Sequence, residues 1–211
     1  MVLFVLTGSS ASGKSTVLPG LAARVAGLEP HDFDELGVPR GASARWRQEA
    51  TEEWTRRVIG SQAGGRDTLI ASQTPIGEWL AVPSATALDG IAVCLLDAGD
   101  GVRAERLARR PGAISPDPSE LRHLLAWASW HRSHAIDPQW RQDVILRGGW
   151  EQMCWKRWQH WQRGDRRWDV TRLDTSVARM EETAEELARW IKARRRSRQG
   201  GTLALSGRWW S

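Results

Sequence analysis

The chain has no tyrosine, two phenylalanines, two cysteines and three lysines among its 211 residues. Cys94 and Cys154 are too few and too far apart for a disulfide framework or a metal-ligand spacing. Cys94 falls in an apolar run and is expected in the core. No apolar run approaches the roughly 20 residues that a membrane-spanning helix needs. The N-terminus opens directly on a short apolar stretch with no basic region before it, which argues against a signal peptide. No internal repeat is present. A cytoplasmic protein with no membrane partner is expected.

What is present is arginine and tryptophan. The lysines are Lys14, Lys156 and Lys192, against 27 arginines, and the net charge is +5. Part of the excess lies at the end, in Arg194, Arg195, Arg196, Arg198 and Arg208. A mildly basic remainder suits an anionic substrate such as ATP and permits nucleic acid. There are 14 tryptophans, eight of them from Trp127 to Trp168. The length suits one domain with a sizeable core.

The most informative stretch is the first. Val2 to Leu6 is an apolar run too short for a helix and reads as a buried strand. Gly8, Ser9, Ser10, Ala11, Ser12, Gly13, Lys14 and Ser15 follow in the pattern G-x-x-x-x-G-K-S, and Thr16 comes next. Val17, Leu21 and Val25 then recur at helical spacing. Strand, loop and helix are the context that a phosphate-binding P-loop requires. Glycines let the backbone curl around a phosphate. Loop amides and the helix N-terminus offer donors and positive potential. Lys14 can reach the β- and γ-phosphates and the Ser15 hydroxyl can ligate Mg²⁺.

Further strands are expected near Asp32-Phe33-Asp34 and at Thr68–Ser72, Ile91–Leu96 and Trp168–Leu173. Helices are expected from Ser43 (as N-cap) to Ile59, from Gly101 through the arginines, from Ser119 (as cap) and from Asp137-Pro138, then from about Trp150 to Arg163 and from Val177 to Ile191. Pro19 is expected near the first turn of the first helix. Strands alternating with helices predict an α/β three-layer sandwich around a five-stranded parallel sheet. Residues 1–196 are read as a single domain, with a helical lid and substrate region at about 101–165 and a basic, disordered tail at 197–211. Ligands bind at the carboxyl ends of such strands. That rim carries the P-loop, Asp32 to Asp34, Ser72 to Thr74, and Asp174 to Ser176. The third strand ends in Ser72-Gln73-Thr74 rather than an acid, which argues against a motor-type ATPase.

On these motifs the chain resembles the P-loop kinases of small molecules and nucleotides, the group that includes shikimate and gluconate kinases, nucleoside monophosphate kinases and chloramphenicol phosphotransferase. The resemblance covers about residues 1–192, and only the P-loop is specific by itself. It implies ATP and Mg²⁺, with Asp32 near the metal and Asp34 binding or activating an acceptor hydroxyl; Glu35 is a weaker substitute. Strand alternation would point Asp32 and Asp34 the same way. The resemblance also implies an arginine-bearing lid that neutralises the transferring phosphoryl group. Arg103, Arg106 and Arg110 share a helix face, with Arg106 and Arg110 favoured as catalytic. Asp174 and Thr175 join the nucleotide site. Arg40, Arg47 and Gln73 are candidates for holding the acceptor, and Trp155 for stacking on it. Trp150, Cys154, Trp158 and Trp161 would share a buried helix face. Histidines as metal ligands are not expected.

The expected activity is ATP-dependent phosphotransfer to a hydroxyl of a nucleoside, sugar acid or antibiotic-like molecule. The alternatives are a nucleic-acid kinase or nucleotide-dependent RNA/DNA-binding protein, suggested by the basic tail and its tryptophans, and a P-loop NTP hydrolase or regulatory protein. The sequence leaves the oligomeric state open.

Overall fold

In the computed structural model, which describes residues 1–110 and 116–211, the N-terminal apolar run is the central strand, β1 (Leu3–Thr7). Its side chains alternate between two cores, Leu3 and Val5 on one face, Phe4 and Leu6 on the other, as the period of a strand requires. β2 (Leu28–Asp32), β3 (Asp67–Ser72), β4 (Gly90–Asp97) and β5 (Val170–Asp174) complete a parallel sheet in the order β2-β3-β1-β4-β5. β1 and β3 are buried on both faces, which is why they read as continuous apolar runs.

Helices cover both faces. α1 (Lys14–Arg24) and α7 (Met180–Gln199) bury Val17, Leu21, Leu187 and Ile191 against Phe4 and Leu6. α2 (Ala44–Ala63), α3 (Ile76–Ala81) and α5 (Pro118–Ile136) bury Trp54, Val58, Trp79 and Trp130 on the Leu3 and Val5 side. α4 (Asp100–Ala108) follows β4, and α6 (Asp143–Leu146) is a single turn. Ser43 caps α2 as expected, its hydroxyl accepting from Trp46 N at 3.2 Å. Pro19 lies inside α1. No helix among the described residues is long and apolar enough to cross a membrane.

The structure corrects several local expectations. α3 was not foreseen; Pro75 is its N-cap. Asp117, not Ser119, caps α5, accepting from the amides of Ser119 and Glu120. Asp137 ends α5 rather than starting a helix, and its carboxylate accepts from Gln139 N in a turn. The expected helix at 150–163 does not form. That stretch is a series of turns around a short 3-10 segment, Trp155–Arg157. Tertiary contacts fix it instead: Cys154 N donates to Ala81 O, Trp158 Nε1 donates to Gly77 O at 2.8 Å, and the Arg157 guanidinium donates to the carbonyls of Leu80, Val82 and Pro83. Gly77 is required here, since a Cβ would lie 2.5 Å from the Trp158 ring.

The tail is not disordered. α7 runs to Gln199, and a sixth strand, β6 (Leu205–Ser206), pairs antiparallel with the start of β4, before β5 begins. Trp209 is buried, edge-on to Trp161. Arg194 and Arg195 are paired with Asp169 and Asp67. The buried ring of Trp209 is therefore not free to stack on a base.

Candidate active site

The P-loop joins the end of β1 to the start of α1. At Gly8 the backbone has φ +153°, and a Cβ would sit 2.3 Å from the Leu96 carbonyl oxygen, so only glycine fits. Gly13 caps α1 in the left-handed region. The Lys14 ammonium donates to Ser9 O at 3.2 Å and Ser12 Oγ at 3.4 Å. Burial, with the Arg103 guanidinium nearby, pushes its pKa down to about 8, while Asp32 and Asp34 act the other way.

A cavity of about 720 Å³ opens over the loop. Its walls are Ser10 to Val17, Asp32 and Asp34, Ser72 and Gln73, Arg106, Arg109 and Arg110, and the segment from Thr175 into the start of α7. Cations therefore come from α1 and α4, and two carboxylates come from the end of β2. Asp34 is not on the strand. Asp32 ends β2 and caps a 3-10 turn, Phe33–Leu36, accepting from Asp34 N at 3.1 Å. The turn, rather than strand alternation, brings both carboxylates to one cavity. Partial withdrawal from water and the neighbouring Asp32 raise the pKa of Asp34, opposed by Lys14 and Arg110. Glu35 is occupied by His31 and by Asp32 N, and it does not line the cavity.

Behind the loop, α4 supplies two arginines. The fully buried Arg103 donates to the Ser10 and Ala98 carbonyls and to Asp97 Oδ1. Arg106 donates to Ala11 O at 3.3 Å, to Thr175 Oγ1 at 3.0 Å and to Thr175 O. The Thr175 hydroxyl reaches Ser12 O at 3.1 Å and Asp97 O at 2.9 Å. Arg132 from α5 pairs with Asp97 and Asp100. A second polar connection enters from α5. The Thr7 hydroxyl donates to Thr74 O at 2.7 Å, so its 3.1 Å contact with His131 Nε2 makes that nitrogen the donor. Burial and the nearby His134 depress the pKa of His131 well below the usual range.

Several expected site residues are placed elsewhere. The Arg47 guanidinium grips the fully buried Glu78 carboxylate with two bonds of 2.7 Å and lies over Trp127, and Gln48 completes the pair at 2.9 Å. Arg40 is exposed and does not line the cavity. Trp155 packs edge-on against Trp158, away from the cavity walls. Asp174 turns to the Ser176 amide and hydroxyl, which lower its pKa, and it is not a cavity wall. Gly8 and Ser9 shape the loop from behind. Arg109, a cavity wall, was not singled out. Arg103, expected on one lid face with Arg106 and Arg110, is instead buried against the loop and is not a cavity wall. Within the expected lid region, residues 111–115 lie outside the described residues.

The residues fit Mg²⁺ and a nucleoside triphosphate. Ser10 to Ser15 of the loop, with the Lys14 ammonium among them, wall the cavity. Among the described residues no cluster of three His, Cys, Asp or Glu could hold a metal alone. Ser15 with Asp32 is instead the sparse hard-oxygen set typical of Mg²⁺ shared with phosphates and water.

No protein-family model matches the sequence, and no curated protein matches it. Solved structures do. A sugar kinase from a Janibacter species superposes with a TM-score of 0.58 at 19% identity, over 91% of this chain and 95% of its own. A gluconokinase from Sinorhizobium meliloti gives 0.51 at 19%, over 90% and 95%. Thymidylate kinase from Candida albicans gives 0.50 at 12%, over 92% of each chain. The chain therefore has the P-loop kinase fold: a parallel sheet between two helical layers, with the phosphate loop after its central strand.

Proposed function

We propose that this protein is an ATP-dependent phosphotransferase acting on a hydroxyl group of a small molecule, with residues 1–196 forming one kinase domain. The observation that carries the reading is that Lys14, Ser15, the Asp32–Asp34 pair, Arg106 of α4, and Arg109 and Arg110 just beyond it all line one cavity. The likeness in fold to a sugar kinase and a gluconokinase supports it. Mg-ATP would be held by the loop amides, Lys14 and Ser15, with Asp32 beside the metal, and would supply the phosphoryl group. Lys14, Arg106, Arg109 and Arg110 offset negative charge where it develops. Asp34, its pKa raised, orients the acceptor hydroxyl and takes its proton. Gln73 orients the acceptor by hydrogen bonds. Arg47 is committed to Glu78, so it does not favour an acidic acceptor over a nucleoside or an antibiotic-like alcohol.

The test is transfer of the labelled γ-phosphate of ATP to a panel of hydroxyl compounds. Label should move to at least one compound, and Lys14→Ala should reduce that rate by about 10²–10³-fold or more. ADP release at one rate, whatever compound is added, would reject the phosphotransferase in favour of a hydrolase.

A further inference from the structure

Three successive carbonyls of the phosphate loop face donors from other elements. Ser10 O is bound by Arg103 and Ala11 O by Arg106, and Ser12 O lies 3.1 Å from the Thr175 hydroxyl, which shares its one proton between Ser12 O and Asp97 O. In a planar trans peptide the carbonyl oxygen and the following N–H point in opposite directions. Holding these oxygens therefore fixes the N–H groups of Ala11, Ser12 and Gly13. That of Ser12 closes a turn to Ser9 O at 3.3 Å, and the other two face away from the donors.

We infer that Arg103 is a positioning residue that presets the peptide planes of the loop for an oligophosphate, acting jointly with Arg106 and Thr175 from behind it. The inference rests on the loop being the phosphate site.

Its burial argues for such a role. The Arg103 side chain is fully buried, at 0% exposure, on a helix whose other buried residue is Leu107. Taking a guanidinium out of water is costly, and an apolar side chain commonly fills such a place at least as well. The fork geometry supplies what a hydrophobe cannot, with one arm on Ser10 O and the other on Asp97 and Ala98 O. Asp97 ends β4 and also takes Arg132 from α5, so the anchor of the fork is itself braced. Arg106 repeats the arrangement one turn on, spanning Ala11 O and Thr175. The same helix carries Arg106 into the cavity wall and leads directly to Arg109 and Arg110. Loop shape and phosphate-facing arginines are thereby set by one rigid element.

The experiment measures binding of inorganic tripolyphosphate, ATP and adenosine to the full chain by calorimetry, for wild type, Arg103→Lys, Arg103→Met and Thr175→Val. Lysine keeps the charge but cannot bridge Ser10 O and Asp97 as a fork. Arg103→Lys should weaken tripolyphosphate and ATP by the same factor, about 10- to 100-fold, and leave adenosine unchanged. Arg103→Met should weaken them at least as much, and Thr175→Val by a few-fold in the same pattern. Should the methionine variant fail to fold, the lysine and valine variants carry the test. Tripolyphosphate affinity within about twofold of wild type in both would overturn the inference. A loss shared equally by adenosine would also overturn it, as a general structural defect. A wild-type chain that binds no tripolyphosphate would remove the phosphate-site reading and this inference with it.

Discussion

The loop side of the rim is held together by hydrogen bonds, and the tryptophan side by ring packing. Around the P-loop, guanidinium and hydroxyl groups bind backbone oxygens, and even Lys14 returns to Ser9 O. Across the sheet a continuous series of rings runs from Trp127 through Trp130, His134, Trp158 and Trp168 to Trp161 and Trp209. Several buried indole N–H groups there go without partners: those of Trp79, Trp161 and Trp209. Directional bonds set where a phosphate can sit, whereas ring packing sets the shape of the wall beside it. Changes on the first side should alter chemistry at constant stability, and changes on the second should do the reverse.

The largest effect expected is on the first side. Asp34→Asn removes the proposed proton acceptor and should lower turnover by about 10²–10⁴-fold. Nucleotide affinity and the unfolding midpoint should stay near wild type. Equal losses in turnover and ATP affinity would reassign Asp34 to the nucleotide and weaken the contrast. On the second side, Trp158→Ala removes a fully buried ring and its bond to Gly77 O. It should cost about 3–5 kcal/mol in a urea titration, while the protein that remains folded binds ATP as before. An undiminished midpoint would show that the ring series is not a core.

The same contrast explains which features were legible. The P-loop was readable because its requirements are local: glycines at two constrained positions, then lysine and serine at a helix start. The parallel sheet was readable because doubly buried strands must be apolar throughout. The segment at 150–163 was not readable. Its tryptophans repeat at helical spacing, yet each ring is placed by a partner far away in sequence, such as Gly77 for Trp158. Arg47 looked like a ligand because the sequence gives no sign that Glu78, on an unforeseen helix, is buried against it. The tail looked disordered by composition, but Leu205 and Trp209 find room beside β4 and Trp161. Asp32 and Asp34 reached the cavity as expected, though by a capped turn and not by strand alternation.

The smallest effect expected separates the two sides by pH. Burial pushes the pKa of His134 down to about 3. His131 is also depressed, by burial, by His134 beside it, and by Lys14, Arg47 and Arg103 from α1, α2 and α4. Both are neutral in the folded protein, while the unfolded chain protonates them near pH 6.5. Their contribution to stability is thus complete above about pH 6.5 and declines as the pH falls toward the folded values, by up to about 1.4 kcal/mol per pH unit for each. Between pH 7 and pH 5 His134 should cost about 2 kcal/mol, and His131 adds a loss of the same sign. His134→Phe keeps a ring between Trp130 and Trp168 but cannot titrate. It should remove the His134 part of the acid limb. Urea midpoints of both proteins at several pH values measure the difference. Parallel acid limbs would show that His134 is protonated inside the fold, so that the ring series contains a hydrogen-bonded cation and the two sides of the rim are built alike.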